Sequence, residues 1–281
     1  MQINKIGIIG NGFVGNGLYQ NFKIHFQTLV YDKIEEKSLN SYEDVINCDF
    51  IFVCLPTPMK TVFGGECNLS ILKQFFSNLP DNLKGVFVIK STMPVGTTKI
   101  IQEMRKDLKI IHNPEFLTAR NAVEDFKMSE RHVIGGDMQI SFLLKNILEV
   151  ITPDAKIIFT SSDESEAIKY FANTFLATKV AYFNLIYDLS LNLNMNYDNI
   201  IAGICSDSRI GESHTRTPGP DGDRGFGGTC FPKDINALIN ILDKNNVNSS
   251  ILKEVWKYNK LIRSNWDWAD NTSAVYNGES K

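Results

Sequence analysis

A short apolar strand running straight into G-x-G-x-x-G, Lys5-Ile-Gly-Ile-Ile-Gly10-Asn-Gly12-Phe-Val-Gly15, constrains this chain more than any other feature. Glycines there permit a tight turn, let the backbone approach a pyrophosphate, and set the phosphates on the N-terminus of the next helix. The pattern alone is weak. Here it opens an expected helix over 16–26, followed by Leu29-Val-Tyr-Asp32, a second strand ending in an acid. An acid about 20 residues beyond the glycines is where adenosine ribose hydroxyls bind, and a carboxylate there favours NAD over NADP. The expected cofactor is therefore NAD, held by Gly10, Gly12, Phe13, Val14, Gly15 and Asp32. Lys37 is counted with them, although Lys33 and Lys37 could soften the preference by tolerating a 2′-phosphate.

The first half alternates apolar runs with helical spacing. Strands are expected at 50–55, 85–90, 109–112, 131–135 and 156–160, and helices at 69–79, 97–106 and 141–150. Alternation of this kind predicts an α/β, Rossmann-type parallel sheet with helices on both faces. Such sheets bind ligands at the carboxyl ends of their strands. Thr57, Ser91, Thr92 and Glu115 are therefore the polar residues to watch, the first three as further expected contacts to the cofactor.

Beyond Ser161 the strand signals stop and an all-helical region is expected. Residues 163–193 contain no proline or glycine, with Ser162 or Asp163 as the candidate cap. That predicts one central helix of about 45 Å at 1.5 Å per residue, with an apolar stripe suited to a core or a dimer seam. Lys169 and Asn173 lie one turn apart on it, and spacing alone favours solvated surface residues. Further helices are expected at 197–205, 234–244 and 250–262. The domain expectation is 1–161 for the NAD-binding domain, 162–265 for the helical domain, and 266–281 for a polar tail in which Trp266 and Trp268 dock.

Composition narrows the class. At 43% hydrophobic and 22% charged the chain matches ordinary globular usage. A net charge of −3 gives no electrostatic footprint for nucleic acid or a membrane surface. No apolar run reaches the ~18 residues of a bilayer span. Five scattered cysteines without C-x-x-C spacing argue against a disulfide framework or a metal site, and for a reducing, cytoplasmic setting.

Gly-Phe-Gly-Gly-Thr-Cys-Phe-Pro-Lys-Asp, from Gly225 to Asp234, carries the chemistry. Pro232 suits the first turn of a helix. Cys230 would then precede a helix N-terminus, where the dipole and exposed N–H groups stabilise a thiolate. The alternative is a buried cysteine at a tight turn, packing as a small hydrophobe.

Taken in order, these residues resemble the UDP-glucose/GDP-mannose dehydrogenase family. The matching elements are Gly10 to Gly15 with Asp32, Leu55-Pro-Thr-Pro58, Ser91-Thr-Met-Pro-Val-Gly96, Asn113-Pro-Glu-Phe-Leu117, Lys169-Tyr-Phe-Ala-Asn173, Arg209-Ile-Gly211 and Gly227 to Asp234. The resemblance covers about residues 1 to 265, and Phe231 points toward its UDP-glucose 6-dehydrogenase branch. It implies a four-electron oxidation of a nucleotide sugar, UDP-glucose to UDP-glucuronate, with Cys230 forming a thiohemiacetal and then a thioester. By analogy Lys169 and Asn173 steady the oxyanion, Asp234 serves proton transfer, and Thr92 and Glu115 organise water. Phe116, Leu117, Tyr182, Arg209, Gly227 and Lys233, with Lys169 and Asn173, would contact the sugar. The apolar stripe of helix 163–193 is more than one small helical domain can cover, so a homodimer through it is expected, and the resemblance implies that Arg209 reaches a second subunit's site.

Two departures stand out. Ala119 occupies a place where relatives often carry a second glutamate, and the family's further α/β domain has no counterpart after the helices. The expectation is a short form in which the remaining loops, 214–226 the candidate among them, and a partner subunit grip the nucleotide, or another chain supplies the lid, or activity is weak. Two alternatives remain open: a two-electron hydroxyacid dehydrogenase, which needs no cysteine, and a non-catalytic NAD-binding remnant.

Overall fold

The structure, a computed structural model, describes residues 4–276. It divides into two compact units, one of residues up to 57 with 69–169, the other of 58–68 with residues from 170 onward. The hairpin segment 58–68 thus leaves the first 161 residues to pack with the helical part.

In chain order the elements are β1 (Lys5–Ile9), α1 (Phe13–Phe22), β2 (Gln27–Tyr31), α2 (Tyr42–Ile46), β3 (Phe50–Val53), the hairpin β4 (Met59–Thr61) and β5 (Gly64–Cys67), and α3 (Ser70–Asn78). There follow β6 (Val86–Ile89), α4 (Thr97–Met104), β7 (Lys109–His112), α5 (Ala122–Lys127), β8 (Arg131–Gly135), α6 (Met138–Ile151) and β9 (Lys156–Thr160). The long α7 (Ser162–Asn192) passes from the first unit into the second, which continues with α8 (Tyr197–Cys205), α9 (Phe231–Lys244) and α10 (Ser250–Ile262).

The first unit is one seven-stranded sheet in the order β2-β1-β3-β6-β7-β8-β9. Successive side chains on a strand point to opposite faces, and here both faces are apolar. Phe50 and Phe52 join Ile8, Leu18, Phe22 and Leu144 in one core, while Ile51 and Val53 join Phe76, Phe87 and Ile101 in the other. Each such side chain, fully buried, contributes about 1.5–3 kcal/mol.

One feature differs from the expected all-parallel sheet. β8 meets β7 antiparallel, and only at His112 opposite Gly135, with β9 parallel to β8. The Asn113 amide donates to the Val133 carbonyl at 2.7 Å, bridging where the ladder is missing. Gly135 admits the start of α7 closely, since a Cβ there would stand 2.4 Å from that of Ser165.

Helix starts are set by local caps. α1 begins at Phe13, earlier than expected, because Gly12 of the glycine turn is its cap. α6 begins at Met138 because Asp137 accepts the N–H groups of Gln139 and Ile140. For α7 the cap is Ser161, rather than Ser162 or Asp163. Its hydroxyl accepts from Glu164 N at 3.3 Å, while the Glu164 carboxylate accepts from Ser161 N at 2.8 Å, a capping box.

In the second unit, Met59, Ala177, Phe226, Ile235, Ile239, Trp256, Trp268 and Val275 form the core. The hairpin turn is pinned by two indoles, Trp256 Nε1 donating to Phe63 O at 3.0 Å and Trp268 Nε1 to Val62 O at 3.1 Å. Trp268 is fully buried, with Trp266 stacked on it at 5.5 Å. The expected polar tail is therefore anchored as far as Val275, which bridges to Met59. Residues 277–281 of that tail lie outside the described residues.

Candidate active site

Within the first unit, the glycine turn forms a cradle that is tight at one end and open at the other. Gly10 has φ +91, and a Cβ on Gly15 would lie 1.9 Å from Gly10 O. Around Gly12 a Cβ would meet nothing within 4 Å, and no side chain caps α1 there. The first N–H groups of α1 lack intrahelical acceptors, which suits a pyrophosphate. Phe13 and Val14 form the first turn, half-buried. Asp32 comes directly after β2, which ends one residue earlier than expected at Tyr31, and its carboxylate accepts from Asn11 N at 2.6 Å and Ile34 N at 2.9 Å, fixing the acid beside the turn. Lys37 is exposed, its carbonyl held by the Asn11 amide at 2.7 Å. These residues fit a dinucleotide carrying free ribose hydroxyls.

The carboxyl edge of the sheet gathers Thr57, Ser91, Thr92 and Glu115. Thr57 Oγ1 donates to Thr92 O at 2.5 Å, and Ser91 Oγ to Leu55 O at 2.6 Å, stitching together the loops after β3 and β6. Glu115, after β7, accepts from Phe116 N at 2.9 Å and pairs with the Lys90 ammonium at 2.9 Å. Lys90 also donates to Asn113 Oδ1 at 2.7 Å. Sequence reasoning passed over Lys90, although a charged residue ending an otherwise apolar strand, just before Ser91, was a visible signal.

His112 and Glu166 were also missed. His112 Nδ1 lies 2.8 Å from Ser165 Oγ, its Nε2 3.3 Å from Ser91 O, and burial pushes its pKa down to about 3. Glu166, on the first turns of α7, accepts from Gly96 N at 2.6 Å and Thr98 N at 2.7 Å. Its pKa is raised by burial, against the pull of those donors. Lys169, buried three residues further on, holds its ammonium 5.0 Å from the centre of the Phe116 ring, and Arg131 faces the same ring at 4.6 Å. Leu117 packs into the core beneath.

In the second unit, Cys230 is the N-cap residue of α9, half-buried, with Pro232 in the first turn as expected. Asp234 is wholly buried one turn into that helix. Its carboxylate accepts from Asn173 Nδ2 at 2.5 Å and is ion-paired with Lys233. Burial works to lower the Lys233 pKa, but the Asp234 carboxylate, helped by Cys230 and Cys67, raises it. Lys233 thus sits against the buried Asp234 and Asn173, with the half-buried Cys230 near enough to act on its charge. The nucleophile loop is clamped from behind by residues that sequence reasoning did not single out. Asn259 pairs with both backbone groups of Phe226, at 2.7 and 2.9 Å. Asp267 accepts from Gly228 N at 3.0 Å. Gly227 has no room for a Cβ, which would lie 2.1 Å from Arg263 Nη2. Tyr182 and Arg209 stand exposed, Arg209 Nε donating to Asp207 at 3.0 Å.

Comparison with known proteins agrees with both halves. Residues 22–151 match the NAD binding domain of the UDP-glucose/GDP-mannose dehydrogenase family, and residues 163–261 its central domain. The UDP-glucose 6-dehydrogenase of Rickettsia prowazekii (strain Madrid E) is 37% identical, covering 93% of this chain and 68% of its own length. That of Rickettsia felis is 35% identical over 87% of this chain and 55% of its own length. The structure of a UDP-glucose dehydrogenase from the archaeon Pyrobaculum islandicum matches with a TM-score of 0.80 at 25% identity, over 92% of this chain and 68% of that one. The chain therefore spans between 55% and 68% of the length of these relatives. With both domains matched in order from residue 22 to residue 261, the chain belongs to the UDP-glucose/GDP-mannose dehydrogenase family of NAD-dependent oxidoreductases.

Proposed function

We propose that the chain is an NAD-dependent nucleotide-sugar 6-dehydrogenase that converts UDP-glucose to UDP-glucuronate through a thioester on Cys230. The observation that carries this is the placement of Cys230 at the start of α9, one turn from a buried Asp234 held by Asn173 and Lys233. NAD⁺, when bound, accepts one hydride in each of two oxidations. In the first, the primary alcohol loses a hydride from carbon and a proton from oxygen, the proton passing to water organised by Thr92 and Glu115. The Cys230 thiolate then adds to the aldehyde carbon, and the carbonyl pair becomes an oxyanion steadied by Lys169 and Asn173. Loss of the second hydride collapses this adduct to the thioester. Water activated by Asp234 cleaves the C–S bond, returning the thiol and releasing the carboxylate. One alcohol, one water and two NAD⁺ become one carboxylate, two NADH and three protons.

Phe116, Leu117, Gly227, Lys233 and Tyr182 are assigned to the sugar nucleotide. We assign the working unit as a homodimer through α7, with Arg209 serving the neighbouring site and the loop 214–226 helping to grip the nucleotide. A reducing, cytoplasmic setting suits five cysteines that are all free thiols. The test is to count NADH released per sugar consumed over a panel of nucleotide sugars. Two per UDP-glucose is expected, with Cys230→Ser stalling. A ratio of one would point instead to the two-electron hydroxyacid chemistry.

A further inference from the structure

We propose that Lys90 is a positioning residue for Glu115, a buried counter-ion that keeps this carboxylate charged and aimed; the inference rests on the reaction assigned above. The Lys90 side chain is 1% exposed and that of Glu115 9%, with the ammonium 2.9 Å from Oε2. The other carboxylate oxygen accepts from Phe116 N at 2.9 Å, while Oε2 has no hydrogen-bond donor and faces the ammonium as its counter-ion. Lys90 is itself oriented by Asn113 Oδ1, and Asn113 by Val133 O, which ties the pair to β8. A buried ion pair is a poor device for stability, since apolar residues of similar volume often do as well or better. Its place beside Ser91 and Thr92, at the sheet's carboxyl edge, is where it gains a use.

The surroundings make that counter-ion matter. After β3, Cys54 has its thiol pushed up to about 12 by burial, with Lys90 pulling down and Glu115 pushing up. From β8, His132 is pushed down to about 4 by burial, with Lys90 adding to the fall and Glu115 opposing it. His112 of β7 lies at about 3, again through burial, with Lys90 and Lys169 contributing. All three are neutral at pH 7. Lys169 of α7 and Arg131 of β8 direct their charges at the ring of Phe116, the next residue along. Without Lys90, the Glu115 carboxylate would be a buried anion that has lost its ion-pair partner, and such groups take up a proton.

The experiment uses the full chain in four forms: unaltered, Lys90→Met, Glu115→Gln, and the double variant. Infrared spectra at pH 7 should show a protonated-carboxyl band in Lys90→Met that is missing from the unaltered protein and from the double variant. In turnover, the acid limb of the kcat/KM profile should move up by about 1–3 pH units in Lys90→Met, with NAD⁺ affinity unaltered. A folded Lys90→Met protein with no such band and an unmoved acid limb overturns the proposal. Should Lys90→Met fail to fold, the double variant decides. Recovery of folding supports an uncompensated carboxylate as the cause, and continued failure overturns it. The infrared arm needs no turnover, so an error in the assigned reaction and an error about Lys90 give different results.

Discussion

Replacing Asn259 with alanine should detach the nucleophile loop from its support. Asn259 is fully buried on α10, and its amide accepts from Phe226 N at 2.7 Å while donating to Phe226 O at 2.9 Å. Phe226 is itself 3% exposed and stacks on Trp256, so neither backbone group has easy access to water. Alanine leaves one buried donor and one buried acceptor unpaired. At about 1–3 kcal/mol for each orphaned group, the cost is roughly 2–6 kcal/mol before relaxation. Slumping of the loop is limited on one side, because Gly225 N is held independently by the Asn184 amide oxygen at 3.1 Å. A water entering the vacated space would bring the loss toward the lower figure. Denaturant titration followed by the fluorescence of Trp256 and Trp268 measures the loss. The rate of Cys230 alkylation, read by mass spectrometry, measures the loosening of the loop, and it should rise. A loss under about 1 kcal/mol with unchanged Cys230 labelling would refute the reasoning and assign the loop's rigidity to Asp267 and Arg263.

Two further outcomes follow from the first unit. Asp32→Ala should narrow the preference for NAD⁺ over NADP⁺, because it removes the carboxylate that would repel a 2′-phosphate; equal use of both cofactors by the unaltered protein would mean that Lys33 or Lys37 overrides it. His112 has a folded pKa of about 3 against about 6.5 unfolded, so between those values only the unfolded chain binds the proton. Stability from this site is therefore full above about pH 6.5 and lost as pH falls toward 3, and His112→Asn should flatten the acid slope of ΔG measured by denaturant titration.

Sequence legibility tracked how local each determinant is. β7, β8 and β9 were read to the residue because each is an apolar run that is bounded sharply. The direction of β8 was not legible, since an apolar run reads the same whichever way it is laid into the sheet, and its contact with β7 is a single pair, His112 opposite Gly135. The hairpin β4–β5 was missed because its strands, of three and four residues, are too short to show alternation, and its two indole anchors lie near the far end of the chain. Cys230, Pro232 and Asp234 announced themselves by spacing within one helical turn. Asn259 and Asp267 could not, because each binds a backbone group more than thirty residues away, and no pattern of neighbours records that. Lys90 falls between these cases. Its oddness is local, but its partner becomes visible only once β6 and β7 lie side by side.

The dimer assigned above rests on a stripe of the second unit's own surface. Phe171, Phe175, Tyr182, Leu185 and Leu189 are 56%, 68%, 59%, 56% and 53% exposed. Their spacings of four, seven, three and four residues place them along one side of α7. Beside the stripe lies an open groove of about 550 Å³, lined by Ala181, Tyr182 and Leu185 of α7 with Ile251, Val255 and Tyr258 of α10. A contiguous apolar surface of this kind on a chain of ordinary composition marks an interaction site. In the proposed dimer a two-fold contact would cover it with its own copy, residue against residue. Leu185→Asp should split such a dimer, since each copy would bring an unpaired carboxylate into the seam. Light scattering should report dimer for the unaltered chain and monomer for the variant, with helix content by circular dichroism unchanged. If Arg209 serves the neighbouring site, the monomeric variant and Arg209→Ala should raise KM for the nucleotide sugar alike, while both keep NAD⁺ binding. A stable, fully active monomer of the unaltered chain would remove the stripe's assigned partner and the borrowed arginine together.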